Sequence, residues 1–307
     1  MKPNACPLQY VLITPARNEA EYIEKTLESV VHQSVRPLRW IVVENGSTDA
    51  TASIVARYAQ EYTWIQLVLQ DKAKGRSFAG KAQAFNAGLE IARELPYDVI
   101  GNLDADISFD ETFFEFLLQQ FAADPELGVA GTVFEEEGYK SETDSFEGRN
   151  HVAGQCQLFR RACMEEIGGY VAHRRGGIDW IAVTTARMKG WKTRSFREKS
   201  FYHYRHMGTA ERGRLAAMFS YGEKDYYLGG HPLWQVFRCA YRATKRPYLT
   251  GGVALLAGYV AASVRGMERP VSRELMRFHR REQMLKLKRI FGTLLRLERV
   301  DNFDLAK

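Results

Sequence analysis

Cysteine is scarce in this 307-residue chain: the four present, Cys6, Cys156, Cys163 and Cys239, show neither C-x-x-C spacing nor a regular framework. That argues against structural zinc and a disulfide scaffold, and for reduced thiols in a cytosolic setting. Internal repeats and low-complexity linkers are also lacking, which leaves no basis for a repeat architecture. The amino-terminal stretch MKPNACPLQYVLITPARNE holds no long apolar run ending in a small-residue cleavage site, so no secretory signal is expected. Neither an early glycine-rich phosphate loop nor G-x-G-x-x-G is present, which argues against nucleotidyltransferases and dehydrogenases.

The content is that of a folded globular chain, with 45% hydrophobic and 26% charged residues. At this length one large α/β domain plus an appendage is the natural organisation. Charge divides unevenly: residues from Arg238 onward carry a balance of +10, and the preceding residues one of −4. A basic tail suits an anionic membrane surface or nucleic acid. The apolar residues beside it favour lipid, and nucleic acid is not expected as a partner.

Apolar runs alternate with amphipathic ones along the first third. LQYVLIT, LRWIVVE, WIQLVL and DVIGNLDAD read as strands. Between them EAEYIEKTLESVVHQ, STDATASIVARYAQEY (opened by Ser47 or Thr48) and AGKAQAFNAGLEIAREL read as helices. This pattern predicts a doubly wound, mostly parallel sheet with ligands at the carboxyl ends of its strands. Further on come a helix over 110–123, the apolar LGVAGTVF, a polar loop EEEGYKSETDSFEGRN, and two segments that end helices near glycine. The domain boundary is expected near residue 210, giving units 1–210 and 211–307.

In the second unit, Tyr248 to Val264 is uncharged and flanked by Lys245/Arg246 and Arg265/Arg269. At about 17 residues it is at the short edge of a bilayer span, so a span and an interfacial segment both stay open. The following basic helix places Met284, Leu287, Phe291 and Leu294 on one face, as an interfacial helix would.

Asp104 and Asp106 close the fourth strand. Carboxylates one residue apart in extended backbone point to one side and can share a hard divalent cation such as Mn²⁺ or Mg²⁺.

Taken in order, ITPARNE, VVENGSTD, GKAQAFNAGL, NLDAD, GGY, GGIDW and MKGWK resemble the motifs of the family 2 glycosyltransferases over roughly residues 8 to 206. The resemblance implies a GT-A fold and an inverting transfer of sugar from a nucleotide diphosphate donor, UDP-linked by preference. It implies that the Thr14–Glu19 turn walls the base pocket, with backbone near Thr14 and Ala16 reading the ring edge. Arg17 stands where many relatives have an aromatic. Glu44 and Asn45 take the positions facing base and ribose. Arg76 and Lys81 suit phosphate. Asp104 is assigned to ribose and metal, Asp106 to metal and Asp179 to the catalytic base; FYHYRHMGT, read as following the last element of the domain, offers His203 to complete the metal shell and Arg205 for phosphate or a lipid-linked acceptor. Ile178 replaces an acid usual beside it, and the Q-x-x-R-W signature of processive synthases is absent.

The expectation is therefore a metal-dependent glycosyltransferase at the cytoplasmic face of the cell membrane, acting on a lipid-linked glycan or other membrane-proximal acceptor. The alternative is a catalytically silent nucleotide-binding or scaffold protein of the same fold.

Overall fold

Four of the apolar runs form strands: β1 (Tyr10–Ala16), β2 (Arg39–Glu44) and β4 (Val99–Leu103), buried on both faces, and the half-buried edge strand β3 (Ile65–Leu69). They pair in parallel in the order β3-β2-β1-β4. These assignments come from a computed structural model that describes residues 8–70, 78–141, 148–205 and 213–296. The chain divides into two units, Met1–Arg205 and His206–Lys307.

The other half of the sheet is mixed. β5 (Ile107–Phe109), β6 (Leu127–Glu136), β7 (Tyr139–Lys140), β8 (Cys156–Arg160) and β9 (Lys192–His203) complete it. The order continues β4-β8-β6-β9-β5, with β7 hairpinned onto β6. β8 runs antiparallel to β4 and β6, β9 parallel to β6, and β5 antiparallel to β9.

Alternate residues of β1 feed two cores, as the period of two in a strand requires. Tyr10 and Leu12 pack with α1 (Ile23–Val31), α2 (Thr51–Glu61) and α4 (Phe113–Ala123). Val11 and Ile13 pack with α3 (Phe78–Ala92), α5 (Arg161–Ile167) and α6 (Ile178–Met188). Helices on both faces explain why these strands read as continuous apolar runs.

Three expectations change. Ser47 and Thr48 do not open α2, which begins at Thr51. The polar stretch after residue 134 is not a loop at its start: Glu135 and Glu136 end β6, and Glu137 and Gly138 (φ 74°) form the two-residue turn to β7, while residues 142–147 lie outside those described. FYHYRH does not trail behind the last element, because Phe201 to His203 are the end of the edge-ward strand β9. Cys156, Cys163 and Cys239 are buried free thiols, and Cys6 lies outside the described residues.

The second unit holds α7 (Arg214–Tyr227), α8 (Pro232–Ala243), α9 (Thr250–Val264) and α10 (Arg273–Leu295). The glycines of the apolar run serve helix packing. A Cβ on Gly258 would lie 1.9 Å from the Phe219 carbonyl oxygen, and one on Gly222 2.0 Å from that of Leu255, so α7 and α9 touch backbone to backbone. Among the described residues no helix is long and apolar enough to cross a membrane. The buried stripe of α10 is Leu275, Gln283, Leu287 and Ile290, not the face expected from Met284, Leu287, Phe291 and Leu294. Gln283 accepts a hydrogen bond from the His231 backbone and Arg280 donates to the Gly229 carbonyl, which turns that stripe inward. Phe291 is 52% exposed, and the Leu294 side chain lies outside those described.

Candidate active site

Register places the first two strand-to-helix turns side by side, since Ala16 on β1 is opposite Glu44 on β2. The turns are then stitched together. Asn45 N–H donates to the Ala16 carbonyl (3.0 Å), and Asn18, in left-handed backbone (φ 53°), accepts from Thr48 N–H at 2.8 Å. Asn18 N–H donates to Ser47 Oγ (3.0 Å), and Glu19 N–H to Thr51 Oγ1 (2.8 Å). Asp49 accepts from Ala20 N–H and Thr51 N–H. Although burial raises its pKa, these bonds and that from the Thr51 hydroxyl hold its carboxyl below the usual range.

Several of the residues expected at the base pocket are engaged within this platform. Thr14 is buried and accepts from Trp40 Nε1 at 2.9 Å. Glu44 accepts from Ser47 N–H, Asn45 Nδ2 reaches the Gly80 carbonyl at 3.5 Å, and Arg17 is half-buried.

The acidic centre is built at the ends of four strands. Asp104 follows β4 and Asp106 lies in the turn before β5, so they do not share one extended strand. Pairing of Ile107 with His203 nevertheless brings Asp106 to the histidine: Asp106 Oδ2 is 3.4 Å from His203 Nε2. Pairing of Glu135 with Tyr202 brings the next residue, Glu136, to the other ring nitrogen, with Oε1 2.7 Å from Nδ1. Both carboxylates are buried. Burial works against the imidazolium, but hydrogen bonds to Asp106 and Glu136, with the charges of Asp106 and Asp104, raise the His203 pKa to about 9.

Arg205 joins this centre to the first turn. Its guanidinium holds the buried Glu19 carboxylate through two contacts, 3.2 and 2.7 Å, and its Nε is 3.9 Å from Asp106 Oδ2. Glu19 is thus a structural partner of Arg205, an arrangement that fixes the guanidinium beside Asp106.

On the far side of Asp104, Lys81 in the first turn of α3 places Nζ 2.5 Å from Asp104 Oδ1. Burial raises the Asp104 pKa and the Asp106 charge adds to this, against the opposing charge of Lys81. Lys81 also donates to the Gly154 carbonyl (3.4 Å), as does Asn102 Nδ2 (2.8 Å). The other side of Gly154 carries Asp179: a Cβ added there would lie 2.8 Å from Asp179 Oδ2. Asp179 is partly exposed in the first turn of α6, behind Gly176 and Gly177, both at positive φ. Gly177 occupies the cap position, so Asp179 is not the helix cap. Tyr170 completes this wall. Its backbone is clamped by the Asn86 amide (2.8 and 2.9 Å), and burial with the charges of Asp179 and Asp104 pushes its phenol well up.

Asp104, Asp106, Lys81, His203, Arg205 and Asp179 therefore converge, while Arg76 lies outside the described residues. Glu136 and Gly154 are additions that the sequence reading missed. The first was hidden in an acidic run that resembles a loop, and the second has no side chain to signal it. Gly154→Ala is expected to drive Asp179 from its seat, lowering turnover with nucleotide affinity retained; steady-state kinetics beside calorimetric titration of the nucleotide would show the split.

A half-parallel, half-mixed sheet with acidic residues at the carboxyl ends of its strands is the arrangement of the GT-A fold. The chain belongs to glycosyl transferase family 2, whose model matches residues 11–176. It is 32% identical over 112 residues to the poly-β-1,6-N-acetyl-D-glucosamine synthase of Staphylococcus aureus (strain COL), covering 36% of this chain and 25% of that protein. The Staphylococcus epidermidis synthase is 25% identical over 170 residues, or 49% of this chain and 39% of that one. The chain thus spans a quarter to two-fifths of the length of these relatives. Two solved structures share the fold: the mannosyltransferase PcManGT from Pyrobaculum calidifontis in complex with GDP-Man and Mn²⁺ (TM-score 0.57, 21% identity, 97% of this chain and 86% of that) and S. aureus TarS 1–349 in complex with UDP-GlcNAc (0.53, 12%, 97% and 89%).

Proposed function

We propose that the protein is an inverting glycosyltransferase that moves a sugar from a nucleotide diphosphate donor, UDP-linked by preference, to a hydroxyl of a lipid-linked glycan or other membrane-proximal acceptor. The observation that carries this reading is the Gly154 junction, which brings Asp179 to one side of a single residue and the Lys81–Asp104 pair to the other. A base and a leaving-group site within one sugar's reach are what a single displacement needs. The UDP preference is supported by the TarS complex, and a divalent cation by the Mn²⁺ in the mannosyltransferase complex.

Among the described residues no three His, Cys, Asp or Glu side chains form a ready metal cage. The donor set still fits a hard cation once the imidazolium gives up its Nε2 proton to it. Asp106 Oδ2 and His203 Nε2 face each other, Glu136 on Nδ1 orients the ring, and Asp104 is adjacent. One or two protein carboxylates with substrate phosphates is the usual shell for Mg²⁺. Bound there, Mn²⁺ or Mg²⁺ would neutralise charge on the departing diphosphate.

The chain's own residues supply the rest. Asp179 takes the proton of the acceptor hydroxyl, whose oxygen attacks the anomeric carbon as the bond to the diphosphate oxygen breaks; the nucleoside diphosphate leaves and configuration inverts. Lys81 and Arg205 hold positive charge at the rim where negative charge develops. The basic carboxy-terminal region supports a site of action at the cytoplasmic membrane face.

Diphosphate release measured over a panel of sugar nucleotides with membrane extract as acceptor tests the proposal. Release from a UDP-sugar supports it; nucleotide binding with no release from any donor indicates a silent nucleotide-binding protein.

A further inference from the structure

The two faces of α9 have opposite surroundings. Its inner face, through Gly251, Gly252, Leu255, Gly258 and Ala262, is buried within the second unit. Its outer face exposes Val253 (66%), Leu256, Val260 and Val264 (82%), spaced by three and four as one stripe. Leu249 and Tyr248 (60% exposed) extend it past the amino end. The helix is about 22 Å long at 1.5 Å per residue. No charged residue interrupts the chain from Pro247 to Val264. Single exposed apolar residues are ordinary, but a continuous charge-free stripe marks a contact surface.

Charge selects the occupant. Lys245 and Arg246 are exposed at one end and Arg265 at the other, where it is 67% exposed although 3.5 Å from Glu223. Glu268 is exposed beyond it. A second copy of this face, parallel or antiparallel, would bring cations against cations at both ends. An anionic lipid surface accepts all three features: acyl chains under the stripe, headgroup phosphates at the cations, and an aromatic at the boundary.

We propose that the outer face of α9 lies in the plane of an anionic membrane as the protein's lipid contact, with Lys245, Arg246 and Arg265 on headgroup phosphates. The contact is made by α9 rather than by the face of α10 expected from the sequence, and it does not span the bilayer. This deepens the reading of a membrane-proximal acceptor, yet its test needs no sugar donor, so the two can fail separately.

The full chain is floated with phosphatidylcholine vesicles with and without phosphatidylglycerol, beside Leu256→Glu/Val260→Glu and Lys245→Gln/Arg246→Gln. These positions are exposed, and a retained melting temperature checks folding. Wild type is expected to float with the anionic vesicles. The glutamate pair should lose at least about tenfold in partitioning, and the glutamine pair about fivefold per charge, on anionic vesicles alone. Wild type that floats with neither vesicle, or a glutamate pair that floats as well as wild type, would overturn the proposal. So would a wild-type dimer seen by light scattering that the glutamate pair dissolves without any lipid binding, which would assign the stripe to a second copy.

Discussion

Asp179→Asn is expected to lower turnover by about 100- to 10,000-fold while nucleotide affinity stays unchanged. The amide keeps the shape of the carboxylate, so the seat on Gly154 and the start of α6 are preserved, but it cannot accept the acceptor's proton. The adjacent position offers no second acid, because it is Ile178, 3% exposed and part of the core under α6. Initial-rate measurement of diphosphate release, with nucleotide affinity from calorimetry, separates the two effects. Wild-type turnover in the variant would remove Asp179 from the mechanism.

Asp106→Asn should cost about 1,000-fold in turnover, equivalent to about 4 kcal/mol of transition-state stabilisation. Asp106 is 5% exposed, with His203 and Arg205 both turned toward Oδ2. Its loss leaves two cationic groups without their shared carboxylate and removes the donor best placed for a divalent ion. The fold should survive, since the bond that ties the turn to β9 runs from Tyr204 N–H to the Asp106 backbone carbonyl. Unlike Asp179→Asn, this variant should also weaken nucleotide diphosphate binding, and that difference distinguishes a cation-binding acid from a base.

The parallel half of the sheet was legible because β1, β2 and β4 are continuous apolar runs buried on both faces and the helices between carry a clear apolar period. The mixed half was not. β5 has three residues, and β9 alternates charge with aromatics across a register shift near Phe196, so its end reads as a trailing segment. His203 was picked out by its place after the family motifs. Glu136, which holds its Nδ1, depends on the β6–β9 register, which no local pattern shows. Arg205 was legible as a cation near the site, but its pairing with Glu19 crosses 186 positions of chain. In the second unit the glycines of the apolar run signal close helix packing in three dimensions, whereas in one dimension they only weaken a span.

The central claim is that the acids at the strand ends hold a cation that grips the donor's diphosphate. Calorimetric titration of UDP into the metal-stripped protein, with and without Mn²⁺, tests it most directly in wild type and Asp106→Asn. Mn²⁺ should tighten UDP binding at least about tenfold in wild type and have little effect in the variant. Wild-type affinity for UDP that is indifferent to Mn²⁺ would contradict it.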